Sequence, residues 1–340
     1  MFAIIDSGTT NTRIYIIEDD YKVIASGNKK VGVRDTSITG SRDMLKNGVS
    51  SLFFEIMKEN NIDEKRVKFA IASGMITSEI GLIEIPHLVA PIGLKELSES
   101  IEKVEDNDVL PISRPIYFIR GIKNNFPKDA RIHDLRLIDF MRGEEVQWVG
   151  AVMMKNIAEP CNVVTLSSHT KVMYIDDSQR LVHSITTLSG QFFEAITSST
   201  NIGKSVRVLE NERENIYTQQ EVIEVARMCV EKAGLGRTLL MPRFMETLLN
   251  TNSQERIWFL DAAIAADDMK AFDEMIAMGL DTNRYILYGH ELRCNLYEKM
   301  LHMKYGDDII VESISKKEDI DNLTIQGVIQ IARDVIRKYN

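Results

Sequence analysis

Apolar and polar positions along this chain switch repeatedly between a period of two and a period near 3.6. Residues 2–5, 12–17 and 22–27 are short β-type runs parted by turn residues, predicting three consecutive antiparallel strands. Residues 41–60 then carry Met44, Leu45, Val49, Leu52, Phe53, Ile56 and Met57 at helical spacing. Residues 67–72 return to strand. The segment 82–138 holds Pro86, Pro91, Pro111, Pro115 and Pro127, so it is expected to be loop-rich with short strands such as 116–120. A helix is predicted over 139–155, with Val146, Val149 and Val152 on one face, and Pro160 ends that stretch.

The second half repeats this order. Strands are predicted at 162–166, 172–175 and 181–187, with a turn at Asp176-Asp177-Ser178. Helices follow at 191–196, 219–232, 245–250 and 257–278, then a strand at 283–288, a helix at 291–303, a strand at 309–313 and a closing helix at 322–337. No residue-level repeat accompanies the likeness, so it is one of architecture. The chain has 340 residues, above the ~150 taken as a prior for one domain. Two α/β domains, 1–157 and 158–340, are expected.

Composition narrows the function classes. Apolar residues make up 44% and charged residues 27%, as in ordinary globular proteins. A net charge of −9 argues against a nucleic-acid partner, which needs a broad basic surface. Cys161, Cys229 and Cys294 are far apart and form no CxxC pair, which predicts reduced thiols rather than a zinc site or a disulfide framework. Asp6 interrupts the only apolar stretch that resembles a leader, and no window reaches the ~18 apolar residues of a membrane span. A soluble, cytoplasmic protein with no membrane partner is expected.

The first turn carries the clearest chemistry. An apolar strand ends in Asp6 and runs into Ser7-Gly8-Thr9-Thr10-Asn11-Thr12-Arg13 before a second apolar strand. Such a hairpin tip can hold phosphate oxygens: Gly8 admits close approach, Thr9, Thr10 and Asn11 donate hydrogen bonds, and Arg13 adds fixed positive charge. Asp6 can hold magnesium through water, since that cation prefers carboxylates and phosphate oxygens. The plain alternative is a polar hairpin with a chance threonine run. The stretch is not the strand-to-helix loop spelled G-x-x-x-x-G-K-[ST].

DSGTTNTR at 6–13 resembles the first phosphate motif of the sugar kinase, heat-shock protein and actin superfamily. SGMITSEIGL at 73–82, DFMRGEEVQWVGA at 139–151, LSSHTKVMYID at 166–176 and LSGQFFEAI at 188–196 together resemble 2-dehydro-3-deoxygalactonokinases. The likeness is strongest over residues 1 to about 200 and beyond that rests on helix order and on Tyr288-Gly289-His290. It implies two actin-like (ribonuclease H-like) ATPase domains with an interdomain cleft. It also implies transfer of the γ-phosphoryl group of ATP, with Mg2+, to the 6-hydroxyl of 2-dehydro-3-deoxygalactonate in galactonate catabolism. A small-molecule sugar acid is then the partner, and a homodimer is compatible with the fold.

Phosphoryl transfer to a hydroxyl needs a carboxylate within reach of the departing proton. Related sugar kinases carry Gly-Asp before a helix, which Gly143-Glu144 resembles, so Glu144 is the first candidate base, Glu145 the second and Asp139 the third. Arg142 and Arg34 are candidates for pairing with the sugar-acid carboxylate, which a bidentate guanidinium matches well. The resemblance implies that Ser73, Gly74 and Met75 line the sugar site. It also implies that Ser7 joins the first phosphate turn, and that Ser167, Ser168, His169, Thr170 and Lys171 hold β- and γ-phosphates, with Gly289 in the adenosine motif. Two departures stand out: relatives commonly have glycine at the Ser167 position, and smaller residues around Gly289. They keep open an ATP- and sugar-acid-binding protein of this fold that turns over weakly or not at all. An ATP hydrolase of the actin and heat-shock type is disfavoured by the absence of a separate substrate domain, and a Ser/His hydrolase by the absence of G-x-S-x-G.

Overall fold

The computed structural model describes residues 1–210 and 212–339. Its contacts divide the chain into two units: Met1–Pro160 with Ile175–Ser184 and the stretch from Lys317 onward, and Cys161–Tyr174 with Ile185–Lys316.

The first unit contains β1 (Phe2–Ser7), β2 (Thr12–Ile17), β3 (Val23–Lys29), α1 (Val33–Thr39), α2 (Asp43–Glu59), β4 (Ala70–Gly74), β5 (Leu88–Val89), α3 (Leu94–Glu99), β6 (Glu102–Val104), β7 (Ile116–Phe118), β8 (Ile122–Lys123), β9 (Phe140–Met141) and α4 (Glu144–Lys155). Its main sheet has the order β3-β2-β1-β4-β7-β6, and β5, β8 and β9 form a small second sheet. β1 pairs antiparallel with β2 and parallel with β4, so the crossover through α2 returns the chain beside its first strand. The core packs Ile5, Ile14, Ile16, Ala70 and Ala72 of the sheet against Leu45, Val49, Leu52, Phe53 and Ile56 of α2. These are the helical positions that the apolar spacing singled out.

From Cys161 the chain forms β10 (Cys161–Leu166), β11 (Thr170–Ile175), β12 (Leu181–Thr187), α5 (Ser189–Ser199), α6 (Ile202–Ser205), α7 (Gln219–Ala233), α8 (Leu235–Thr238), α9 (Met241–Leu248), α10 (Ser253–Ala277), β13 (Arg284–Gly289), α11 (Glu291–Tyr305) and β14 (Ile310–Ile314). The sheet order is β12-β11-β10-β13-β14, with β13 parallel to both β10 and β14. Thr218 with Glu221 and Asn252 with Glu255 form capping boxes that start α7 and α10. Residues 175–184 count with the first unit, where Leu181 and Ile92 exchange two backbone hydrogen bonds.

Two expectations are corrected here. The helix predicted over 139–155 starts only at Glu144: Phe140–Met141 pair as β9 with β8, and Gly143 has φ +114, which no helical turn adopts. The closing helix begins at Lys317 as α12 (Lys317–Ile331), breaks at Ala332 and continues as α13 (Arg333–Arg337). It belongs to the first unit rather than to 158–340. There α12 lies against α4, and Gly150 and Gly327 let the helix backbones meet at the Leu323 and Val146 carbonyls. Among the described residues no helix is long and apolar enough to cross a membrane.

Candidate active site

Strand alternation sorts the first hairpin. Asp6 is paired with Arg13, and Ser7 with Thr12, on opposite faces of the β1–β2 ladder. Ser7 and Thr12 are buried, their hydroxyls meet at 2.9 Å, and Thr12 Oγ1 donates to the Val31 carbonyl at 2.9 Å. Ser7 therefore holds the hairpin from inside, and its hydroxyl does not join the outer cradle as expected. Gly8 N–H donates to the Asn11 carbonyl at 2.9 Å, closing the turn, while Val33 and Arg34 N–H groups take the Gly8 and Thr9 carbonyls. The carbonyls of the tip are thus spent on α1. Thr9 and Asn11 remain exposed and Thr10 partly exposed. The Arg34 side chain is exposed as well.

Asp6 is the electrostatic focus of this unit. Burial pushes its carboxyl up to about 6; Arg13 opposes the shift, and Asp321 and Glu144 reinforce it. Asp321 comes from α12, with Oδ1 3.9 Å from Arg13 Nη1. Three carboxylates therefore share one field with a single guanidinium. Gly74 ends β4 beside them with φ +93; a Cβ there would meet the Ser7 carbonyl oxygen at 2.6 Å and Asp6 Oδ1 at 3.6 Å. Next comes the Gly143 turn, whose own added Cβ would lie 3.5 Å from Gly74 Cα. Ser73 is buried in β4, and Met75 is partly buried in the 3-10 turn that follows.

Glu144 is partly exposed at the first position of α4, whereas Glu145 is fully buried and its Oε2 accepts from the Gly143 N–H at 2.6 Å. Burial, helped by the Glu144 charge, pushes Glu145 up to about 8. Asp139 lies before β9, with Oδ1 accepting from the Phe140 N–H at 2.6 Å. Arg142 Nη1 donates to Thr77 Oγ1 at 2.7 Å, and Nη2 donates to the Ile85 carbonyl at 2.8 Å and lies 3.4 Å from His87 Nδ1. These bonds tie the β9–α4 turn to residues 77–87. Burial, with Arg142 and Lys123 nearby, pushes His87 down to about 4, so this ring is neutral at pH 7.

The second unit has its own polar turn between β10 and β11. Ser167 and Ser168 are exposed and His169 partly so. Thr170 and Lys171 are buried: Thr170 Oγ1 meets the Tyr297 hydroxyl at 3.2 Å, and Lys171 Nζ donates to Thr186 Oγ1 at 2.5 Å. The outer donors of this turn are therefore fewer than expected. Its backbone is packed closely. Gly190 at the start of α5 would drive a Cβ to 2.1 Å from the Ser167 carbonyl oxygen, and Gly289, with φ +151, to 2.4 Å from that of Leu166. Gln191 N–H takes the Ser168 carbonyl at 2.8 Å, and Arg293 Nη1 that of Ser167 at 3.2 Å. Tyr288 is buried within β13, and the exposed His290 caps α11 by accepting from Leu292 N–H.

Residues 6–330 match the sequence model of the 2-keto-3-deoxy-galactonokinase family. The chain belongs to that family. The 2-dehydro-3-deoxygalactonokinase of Escherichia coli K12 is 22% identical over 279 residues, covering 80% of each chain. The crystal structure of a candidate 2-dehydro-3-deoxygalactonokinase from Sinorhizobium meliloti superposes with a TM-score of 0.74 at 20% identity, covering 98% of this chain and 99% of that one. Component A of the Acidaminococcus fermentans (R)-2-hydroxyglutaryl-CoA dehydratase superposes at 0.51 with 11% identity over 99% and 98% of the chains, a likeness of fold alone. The fold is the actin-like ATPase type, and 2-keto-3-deoxy-galactonokinases are phosphotransferases with an alcohol group as acceptor.

Four residues near these kinase motifs escaped the sequence reading. Asp321, Asp261, Asp268 and Arg293 lie on helices, where acidic and basic residues read as solvated faces. The 3.6-residue period carries a signal for them only in retrospect: Asp261 and Asp268 are seven apart, and Arg293 and Tyr297 four apart.

Proposed function

We propose that this chain transfers the γ-phosphoryl group of ATP to the terminal 6-hydroxyl of 2-dehydro-3-deoxygalactonate. The observation that carries the reading is the Asp6 cluster: a strand-end carboxyl in the field of Arg13, Asp321 and Glu144, beside a turn whose Thr9, Thr10 and Asn11 reach the surface. Glu144 is the base. It is the partly exposed carboxylate of the pair, whereas Glu145 is sealed in and spends one oxygen on the Gly143 turn. As the sugar oxygen bonds to the γ-phosphorus, its proton passes to Glu144, the bond from the γ-phosphorus to the β–γ bridging oxygen breaks, and ADP leaves. Thr9, Thr10 and Asn11 donate to phosphate oxygens, and Arg13 supplies fixed positive charge. In the second unit Ser167, Ser168 and His169 bind the nucleotide.

The Asp6 cluster fits a divalent cation. Burial raises Asp6 first of all, and the Asp321 and Glu144 charges add to that rise against Arg13, so a cation there would meet carboxylates that favour it. Among the described residues, however, no three acidic, histidine or cysteine side chains converge closely enough to chelate a metal directly. Asp6 would thus hold Mg2+ through water, with phosphate oxygens completing the set. When bound, the cation supplies charge neutralisation at the phosphates.

The test is ADP release from ATP and Mg2+ with 2-dehydro-3-deoxygalactonate. Glu144→Gln is expected to lower kcat by ~10²–10⁴, and Asp6→Asn to abolish turnover with the melting temperature retained. Wild-type turnover in either variant overturns its assignment. ATP binding by the wild-type protein without ADP release with this acid overturns the kinase reading in favour of a binding protein.

A further inference from the structure

Beneath the Ser167–His169 turn, hydroxyls converge in two arms on one carboxylate. Asp268 Oδ2 accepts from the Tyr297 hydroxyl at 2.5 Å and from the Ser189 hydroxyl. Tyr297 Oη lies 3.2 Å from Thr170 Oγ1, Thr187 Oγ1 lies 3.4 Å from the Thr170 carbonyl, and Thr187 and Ser189 hydroxyls meet at 2.7 Å. The two arms meet at Asp268 and join α10, α11, β11, the end of β12 and the start of α5. Because Tyr297 and Ser189 both give their protons to Asp268, Thr170 must donate to Tyr297. Thr187 likewise must donate to Ser189, so one carboxylate fixes the proton direction in both arms. Burial, and then the Asp268 charge, push the Tyr297 hydroxyl well up, which keeps it a donor.

Arg293 extends the network to the turn itself. Its Nη2 donates to the Tyr297 hydroxyl at 3.1 Å, its Nη1 reaches the Ser167 carbonyl, and its guanidinium lies 5.4 Å from the Tyr297 ring centre. Asp261 stands 4.0 Å from Arg293 Nε and balances its charge. The side-chain ties at Thr170 on one end of the turn and at the Ser167 carbonyl on the other therefore pass through Tyr297 or Arg293, while Gln191 N–H holds the Ser168 carbonyl between them.

We propose that Asp268, acting through Tyr297 and Arg293, is a positioning residue that holds the Ser167–His169 turn in the shape that binds nucleotide phosphates. This rests on the second unit binding ATP. Asp268 and Tyr297 themselves are buried and act on the nucleotide only through the turn. Their effect is confined to the phosphate end of the nucleotide.

The experiment titrates ADP and adenosine into the wild-type chain, Tyr297→Phe and Asp268→Asn by calorimetry, without sugar acid, alongside the melting temperature of each. Tyr297→Phe keeps the ring and removes only the hydroxyl that joins Asp268, Thr170 and Arg293. It is expected to weaken ADP binding roughly tenfold, the size of one lost hydrogen bond to a charged group, with adenosine affinity unchanged. Asp268→Asn, which keeps one acceptor oxygen, is expected to fall between it and the wild type. Equal losses for ADP and adenosine, or unchanged ADP affinity in Tyr297→Phe, overturn the proposal. A wild-type chain that binds neither ligand overturns instead the reading beneath it, that this unit holds the nucleotide.

Discussion

Gly150→Ala tests the contact that puts the closing helix in the first unit. An alanine Cβ at 150 would lie 2.1 Å from the Leu323 carbonyl oxygen, 2.8 Å from its carbon and 3.0 Å from Cα, where ordinary contact begins at 3.4 Å. All three are backbone atoms of α12, so no rotamer change relieves the clash and the two helices must separate by about 1 Å. Overpacking of this kind costs ~1–3 kcal/mol, against a helix-propensity gain near ~1 kcal/mol for replacing glycine. An approach of 2.1 Å to backbone puts the cost at the upper end of that range, about 2–3 kcal/mol, so the clash wins by roughly 1–2 kcal/mol, or a fall of about 2–8 °C in melting temperature for a domain of this size. Gly236→Ala is the control: it lies in α8 with nothing within 4 Å of its added Cβ, so stability is expected to hold or rise. Thermal and urea unfolding of both variants decide the matter. A Gly150→Ala protein as stable as wild type would refute the α4–α12 packing, and with it the route by which Asp321 reaches Asp6.

Glu145 has an ordinary pKa of 4.5 and is pushed up to about 8 by burial. A carboxyl raised on folding contributes stability that is complete below 4.5 and lost as pH climbs through 8. Glu145→Gln is therefore expected to match the wild type near pH 4 and to gain stability up to pH 8–9, by an amount on the order of 5 kcal/mol at most. A melting-temperature difference that does not change with pH would refute this. Arg142→Gln removes donors to Thr77 and the Ile85 carbonyl, and a loss of ~1–3 kcal/mol in urea unfolding is expected. Unchanged stability with a raised KM for the sugar acid would instead return Arg142 to contact with the substrate.

Local signals carried the sequence reading furthest. The 2–5 and 12–17 runs, the Gly8 turn and the helical stripe Leu45–Val49–Leu52–Phe53–Ile56 depend on neighbours within a few residues, and each formed as expected, the first strand running on to Ser7. Strand alternation also turns Ser7 inward opposite Thr12 while Asp6 pairs with Arg13. The period of two contained that information, but a motif read as a string of hydroxyls hides it. Thr170 and Lys171 were read as phosphate holders for the same reason: their hydroxyl and amine look like phosphate donors, yet both side chains are buried in the sheet. Asp321 and Asp268 were illegible for a different one. Their contacts span hundreds and tens of residues, from Arg13 to Asp321 and from Ser189 to Asp268, and no local period records which partner a helix will meet. The side of the molecule on which α12 packs was hidden likewise.

The central claim is that a phosphoryl group reaches one oxygen of one sugar acid. It is tested most directly by 31P and 1H NMR of the product formed from ATP, Mg2+ and 2-dehydro-3-deoxygalactonate by the wild-type chain, with Asp6→Asn alongside. The expected result is a single phosphate monoester whose phosphorus couples to the C6 protons, absent with Asp6→Asn. ATP left intact, inorganic phosphate released without an ester, or an ester on another oxygen would contradict it.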